Sequence, residues 1–292
     1  MDGMGMGTSR GATATGACAI LLWSTLASLT VLARPIPPLE MTAIAFAIGG
    51  AAIAAVAALR GRASRLKPTL LSLLLGVYGL FGYHALYFAA LRLAPPAEAQ
   101  LICSLWALLI VLFSGLLPGV RLRARHVVGA LLGLAAAALL ASAHMASASA
   151  AGSARLGFAL AFACALVWSS YSIASRLVAG APSESIAVSC LTAAVLGVLS
   201  SLAFEGWVPP PSGRSWLALA GLGLGPIGAA FVLWDVGMKA GNLPLLGVLS
   251  YTVPILSTLL LVVLGLAKPS WPLAAACGMM VTGAAIAARE RS

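Results

Sequence analysis

Apolar residues run through this chain in long unbroken stretches, parted by short clusters of Gly, Pro and basic residues. Crossing the hydrocarbon core takes about 20 such residues in a helix rising about 1.5 Å per residue. Ten stretches come to that length: residues 12–33, 41–59, 69–91, 94–117, 127–143, 156–177, 185–204, 216–238, 243–264 and 271–288. They do not alternate with the period of two that a barrel strand requires, so each reads as a helix. The connections LAPP (93–96) and KAGN (239–242) are short enough to make the third and fourth, and the eighth and ninth, tight antiparallel hairpins.

The pattern repeats. Trp23-Ser24 stands mid-way along the first stretch and Trp168-Ser169 mid-way along the sixth, 145 residues on. Fourteen residues after each Trp comes a proline, Pro37 and Pro182, with Glu40 and Glu184 close behind. An offset of 147 lays Tyr87 on Trp234 and Arg92 on Lys239. The chain therefore reads as a duplicated five-helix unit, residues 1–148 and 149–292, divided in the small polar linker MASASAAGS. A unit with an odd number of spans re-enters the membrane the other way up. The expected fold is thus an all-α integral membrane protein of ten transmembrane helices, built as two inverted five-helix repeats. Secondary transporters share that plan, with the substrate near the midplane between repeats.

Composition agrees. Charged residues make up only 8% of the chain and the mean hydropathy is +1.05, against about 25% charged in soluble domains. The net charge of +10 does not mark a nucleic-acid binder, because the basic residues are scattered through short loops. Twelve Lys and Arg fall on the side of the termini and five on the other, which places both termini in the cytoplasm. Residues 1–11 form a small polar tail, and the first helix itself is expected to start insertion without a cleaved signal. Each of the five cysteines lies within an apolar run, with no CxxC and no Cys/His cluster. Packed free thiols, no metal and no cofactor are expected. No HExxH, no paired intramembrane aspartates and no serine with a base partner argue for an enzyme.

Candidate chemistry centres on GVYGLFGYHALYFAALR, residues 76–92. His84 is an ionisable group at membrane depth, which marks a functional site. A neutral imidazole donates and accepts at once, so it can hold a substrate carboxylate or amine, or instead bond a neighbouring helix. Gly76, Gly79, Tyr83 and Tyr87 share one helix face beside it. Tyr87 is open to a second reading, as an interfacial aromatic. Trp106 and Trp168 stand mid-span, where an indole N–H needs a partner; a pocket would supply one and would stack a ring or an ammonium. Ser104 and Tyr171 offer hydroxyls at the same depth, and Tyr251 is the counterpart of Ser104. The expected substrate-binding set is Tyr83, His84, Tyr87, Ser104, Trp106, Trp168, Tyr171 and Tyr251. Gly79 and Pro254 are candidate hinges. Asp235 reads as a coupling acid or as the snorkelling partner of Lys239. Trp207, Trp216 and Trp271 fall at helix ends and read as belt residues. The absence of a basic cluster at depth speaks against phosphate-bearing substrates, and a neutral pocket with π-faces suits an amphipathic zwitterion.

Duplicated five-helix units, mid-span Trp-Ser, and the hairpins ALYFAALRLAPPAEAQLICSLWALLIVL and FVLWDVGMKAGNLPLLGVLSYTVPILSTLLLVVL resemble the drug/metabolite transporter superfamily, EamA type, across residues 16–288. Within it, Tyr83-His84 with Tyr87, Trp106 and Trp168 are most similar to the YddG-type exporters of aromatic and other amphipathic amino acids. The resemblance implies a multi-pass protein of a bacterial inner (plasma) membrane. Its partners would be a small-molecule substrate and the lipid bilayer, and it would work as a monomer. It would export amino acids from the cytoplasm by alternating access through a central cavity. A drug or amine transporter of the same superfamily and a channel-like facilitator are the alternatives. Two departures stand out: Ala107 replaces a proline expected in the fourth helix, and no Gly-Glu pair follows the fourth or ninth.

Overall fold

The computed structural model of the chain describes residues 3–114, 124–145, 151–178, 180–240, 246, 249–250 and 252–288. Every regular element among them is helical. In chain order these are α1 (Gly3–Ser24), α2 (Leu26–Leu32), α3 (Pro38–Leu59), α4 (Leu70–Val77), α5 (Tyr83–Leu93), α6 (Pro96–Cys103) and α7 (Trp106–Ser114). Then follow α8 (Ala124–Met145), α9 (Ala151–Ala174), α10 (Ile186–Phe204), α11 (Gly213–Leu222), α12 (Ala230–Ala240), α13 (Val253–Val263) and α14 (Trp271–Ala288). A π-helical segment, Tyr78–Gly82, joins α4 to α5, and a second, Gly223–Ala229, joins α11 to α12. Among the described residues six helical runs are long and apolar enough to cross a membrane: Arg10–Leu32, Pro38–Leu59, Leu70–Leu93, Gly152–Ala174, Ser183–Phe204 and Gly213–Trp234. Shorter apolar helices cover Pro96–Ile110, Ala124–Leu140, Val253–Val263 and Trp271–Ile286.

Three expected continuous spans are interrupted. The first breaks at Thr25, whose hydroxyl donates to the Leu22 carbonyl at 2.7 Å while Ser24 donates to Ile20 at 2.9 Å. Hydroxyls bonded back to helix carbonyls bend helices. The fourth breaks at Ser104-Leu105, where the Ser104 hydroxyl donates to the Gln100 carbonyl at 2.9 Å. In the ninth, Pro254 is the second residue of α13, in its first turn, two residues after the N-cap Thr252. Proline costs no hydrogen bond there, so it opens a helix and does not kink the middle of one. Glycine ends three helices in the left-handed conformation, at Gly61, Gly206 and Gly265 with φ of 67°, 74° and 67°.

Packing crosses between the two halves of the sequence. Helix α3 lies against α10, α8 against α14, α1 against α12, and α5 against α9. Lipid offers helices no hydrophobic drive to associate, so close van der Waals approach between small residues has to hold them. The α3–α10 crossing has Gly197 on the backbone of Ala43, and Gly49 meets Gly223 where α3 crosses the second π segment. Gly16 on α1 lies against Gly237 on α12. Trp207, Trp216 and Trp271 are exposed near helix ends, Trp271 by 81%, as belt residues are.

Candidate functional site

The second half of the third span, α5, positions the site. Its backbone leaves the π segment at Gly82, and the ring of His84 turns back so that Nδ1 donates to the Leu80 carbonyl at 2.9 Å. The histidine bond is therefore made within its own helix. A neutral ring with Nδ1–H has Nε2 as an acceptor, and Nε2 makes no hydrogen bond among the described residues. His84 is 3% exposed. Rings surround it on several sides: Phe46 at 4.8 Å, Tyr83 at 5.0 Å, Phe88 at 5.8 Å and Phe231 at 6.4 Å between centroids. Phe231 is the residue that the 147-residue offset lays on His84, so the two counterparts meet.

Tyr83 carries the cluster outward. It stacks on Tyr87 at 5.6 Å with 19° between planes, and lies 5.0 Å from Trp168. Trp168 also meets Tyr171 at 5.3 Å, Phe231 at 6.0 Å and Trp106 at 6.4 Å. Offset and edge contacts of this kind add about 0.5–1.5 kcal/mol per pair beyond burial. Neither indole N–H of Trp106 or Trp168 has a hydrogen-bond partner among the described residues. Ser104, Trp106 and Leu108 line a small pocket with Pro254, Met280 and Ala284, so Trp106 links the aromatic cluster to the broken part of the fourth helix. A Cβ on Gly79 would run into the ring of Tyr171; the glycine therefore serves close packing under that ring. Among the expected site residues, Tyr251 and the side chain of Asp235 lie outside the described residues.

Tyr87 is fully buried and donates its hydroxyl to Gln100 Oε1. It is a core residue and not an interfacial one. Gln100 in turn donates from Nε2 to Ser104 Oγ at 3.2 Å, giving a polar chain from α5 to the break in the fourth helix. Gln100, Phe46 and Phe231 touch this cluster without having been expected there from the sequence. A lone buried amide four residues before Ser104 was the available signal for the first. Trp23 does find a partner: its indole donates to the Pro226 carbonyl at 3.1 Å in the second π segment. Gln100→Leu is expected to destabilise the protein by about 1–3 kcal/mol, because the buried Tyr87 hydroxyl loses its acceptor. Adding Tyr87→Phe should recover part of that loss, and thermal unfolding of both variants in detergent checks it.

Among the described residues the regular structure is all helical, and aromatic rings from both halves of the chain meet around His84 and Trp168. Residues 12–142 and 155–289 each match the EamA-like transporter family. This chain belongs to the EamA-like transporter family. It is similar to the aromatic amino acid exporter YddG of Ancylobacter novellus, 52% identical over 277 residues, covering 94% of this chain and 96% of that protein. A solved crystal structure matches at TM-score 0.76 and 51% identity over 96% of this chain and 97% of its own. As an EamA-like transporter the chain is a multi-pass membrane protein whose work is transport, not bond chemistry.

Proposed function

We propose that this transporter exports aromatic and other amphipathic amino acids from the cytoplasm across a bacterial inner membrane. The observation that carries the reading is the convergence of Tyr83, His84 and Trp106 with Trp168, Tyr171 and Phe231, from both halves of the chain, around an acceptor nitrogen and two indole N–H groups that have no partner among the described residues. Rings stack on an aromatic side chain. His84 Nε2 accepts from an ammonium, and the indoles donate to a carboxylate. The name of the relative from Ancylobacter novellus supports the same substrate class.

The proposed architecture is ten spans in two inverted five-helix repeats, residues 1–148 and 149–292, with both termini cytoplasmic. Support comes from the two family matches and from the two π segments, which open at Tyr78 and Gly223, 223 − 78 = 145 residues apart. The helix-ending glycines Gly61 and Gly206 share the offset, 206 − 61 = 145. The packing is also reciprocal: α1 lies on α12 as α9 lies on α5. Rocking of these interlocked pairs would expose the site to one face and then the other.

Counterflow of radiolabelled phenylalanine and tryptophan in proteoliposomes tests the reading. Wild type should transport both with saturation, and His84→Phe, which copies Phe231 and keeps the packing, should raise KM about tenfold, the worth of one charge-assisted hydrogen bond. Absence of transport of any aromatic amino acid sinks the substrate class. Linear, unsaturable flux would favour a channel-like facilitator, and normal kinetics for His84→Phe would move the site elsewhere.

A further inference from the structure

The start of α3 and the end of α10 hold one another through two carboxylates. Glu205, just past α10, accepts the Leu39 N–H at 2.9 Å and the Glu40 N–H at 3.4 Å. It caps the amino end of α3 from a different helix, where a negative charge is favoured. Glu40 answers from its own side: Oε2 accepts the Val208 N–H at 2.8 Å. Its second oxygen, Oε1, is buried with no hydrogen-bond partner among the described residues, and the residue is 0% exposed. An ionised oxygen left bare beside a second carboxylate is opposed both by desolvation and by like charge. A proton removes both costs.

The charges around the pair do not abolish them. Arg92 closes α5 and donates to the Pro35 and Ile36 carbonyls at 3.0 and 3.2 Å, in the loop ahead of α3. Arg34, in that loop, donates to the Leu91 carbonyl. Arg214 stands on α11, the other element packed against α3 that carries a charge at this end. The loop 206–212 has no titratable side chain. Burial lifts the Glu205 carboxyl above the usual range, against the two N–H groups and Arg92. Burial and then the neighbouring Arg92 hold Arg34 below its usual value.

The opposite end of the same helix pair is built differently. Glu184, 144 residues after Glu40, opens the helical run that becomes α10. It faces Arg62 at 3.4 Å and Arg65 at 3.8 Å. One end is thus an acid–base pair, and at the other each of two carboxylates accepts backbone N–H groups from the other's segment, one of them with a buried oxygen that has no partner among the described residues.

We propose that Glu40 and Glu205 together bind one proton from the adjoining aqueous phase, and that this proton holds the start of α3 against residues 205–208. The carboxylate oxygen gains the proton and nothing else changes covalently. That opening of this contact belongs to a transport cycle rests on the proposed function; the proton site itself does not. The closed contact binds one proton more than the open one, so it is stable at low pH and is lost as pH rises through the closed-state carboxyl titration. Between the closed and open pKa values the opening equilibrium rises by up to about tenfold per pH unit. On the proposed orientation this end faces outward, so acid outside closes it.

Hydrogen exchange of the full chain in nanodiscs, from about pH 5 to about pH 8 and corrected for intrinsic exchange, reads the contact directly. Wild type should lose protection at the Leu39, Glu40 and Val208 amides by several-fold to tenfold per pH unit. Glu40→Gln should keep protection and lose the pH dependence. A flat wild-type profile overturns the proposal, and so does a Glu40→Gln slope equal to wild type. Should Glu40→Gln not fold, Glu205→Gln serves the same test, and an unchanged slope there is equally fatal. A sloping profile without aromatic amino-acid transport would discard the proposed function and leave the proton site standing; normal transport with a flat profile would do the reverse.

Discussion

Trp168→Ala is expected to lower transport of an aromatic amino acid at least tenfold, chiefly through a higher KM. Trp168 is the ring that joins the two parts of the site, touching Tyr83 and Trp106 from one half of the chain and Phe231 and Tyr171 from its own. Removing it takes away a stacking face and an indole donor together. It also uncovers one face of Tyr83, which keeps its ring contacts with His84 and Tyr87. Two aromatic contacts at about 0.5–1.5 kcal/mol each already amount to roughly tenfold in binding at 1.4 kcal/mol per tenfold. Trp168→Phe keeps a face but not the N–H and should lose much less. Counterflow KM values for phenylalanine across wild type and both variants decide it. Equal KM values with a reduced maximal rate would make Trp168 part of the moving frame, with no contact to substrate.

The second large effect is on the frame itself. Gly197→Leu is expected to prevent recovery of folded, monodisperse protein. A Cβ at Gly197 would meet the Ala43 backbone nitrogen at 2.8 Å and its Cα at 2.9 Å. Backbone cannot move aside as a flexible side chain can, so α3 and α10 would have to separate along their main contact. Gly197→Ala is the milder probe, with an overpacking cost of about 1–3 kcal/mol. Gly278→Ala is the control, since nothing lies within 4 Å of a Cβ there. Size-exclusion profiles and thermal unfolding in detergent measure all three. A well-folded Gly197→Leu would mean that this helix pair is held by something other than close approach.

Lipid makes the helical class easy to read from sequence. An apolar run of span length has no other way to satisfy its backbone, so α3 and α10 were legible almost to their ends. Polar and aromatic side chains at mid-span stand out against such a background, and Tyr83, His84, Trp106 and Trp168 do come together. Phe46 and Phe231 were not legible, because a phenylalanine facing a pocket and one facing acyl chains obey the same pattern. Gln100 hid in the first turns of a helix beside Glu98, where polar residues are ordinary. The breaks at Thr25 and Ser104 follow from single hydroxyls choosing a carbonyl of their own helix, and a hydropathy window does not register that choice. The π segments at Tyr78 and Gly223 insert a residue into the helical turn without altering composition at all. The vacant Glu40 oxygen is a property of three segments meeting, 165 to 168 residues apart in sequence.

The bond from Trp23 to Pro226 spans 203 residues. At a synthesis rate of roughly 5–20 residues per second, about 10–40 s pass between the emergence of donor and acceptor. The first helix enters the bilayer long before α12 exists, and its indole must find lipid headgroup, water or a chaperone in the interval. Biogenesis of this protein is therefore a problem of waiting: α1 completes its environment only when the segment Gly223–Ala229 arrives, and a chain released before residue 226 leaves that helix unfinished in the membrane.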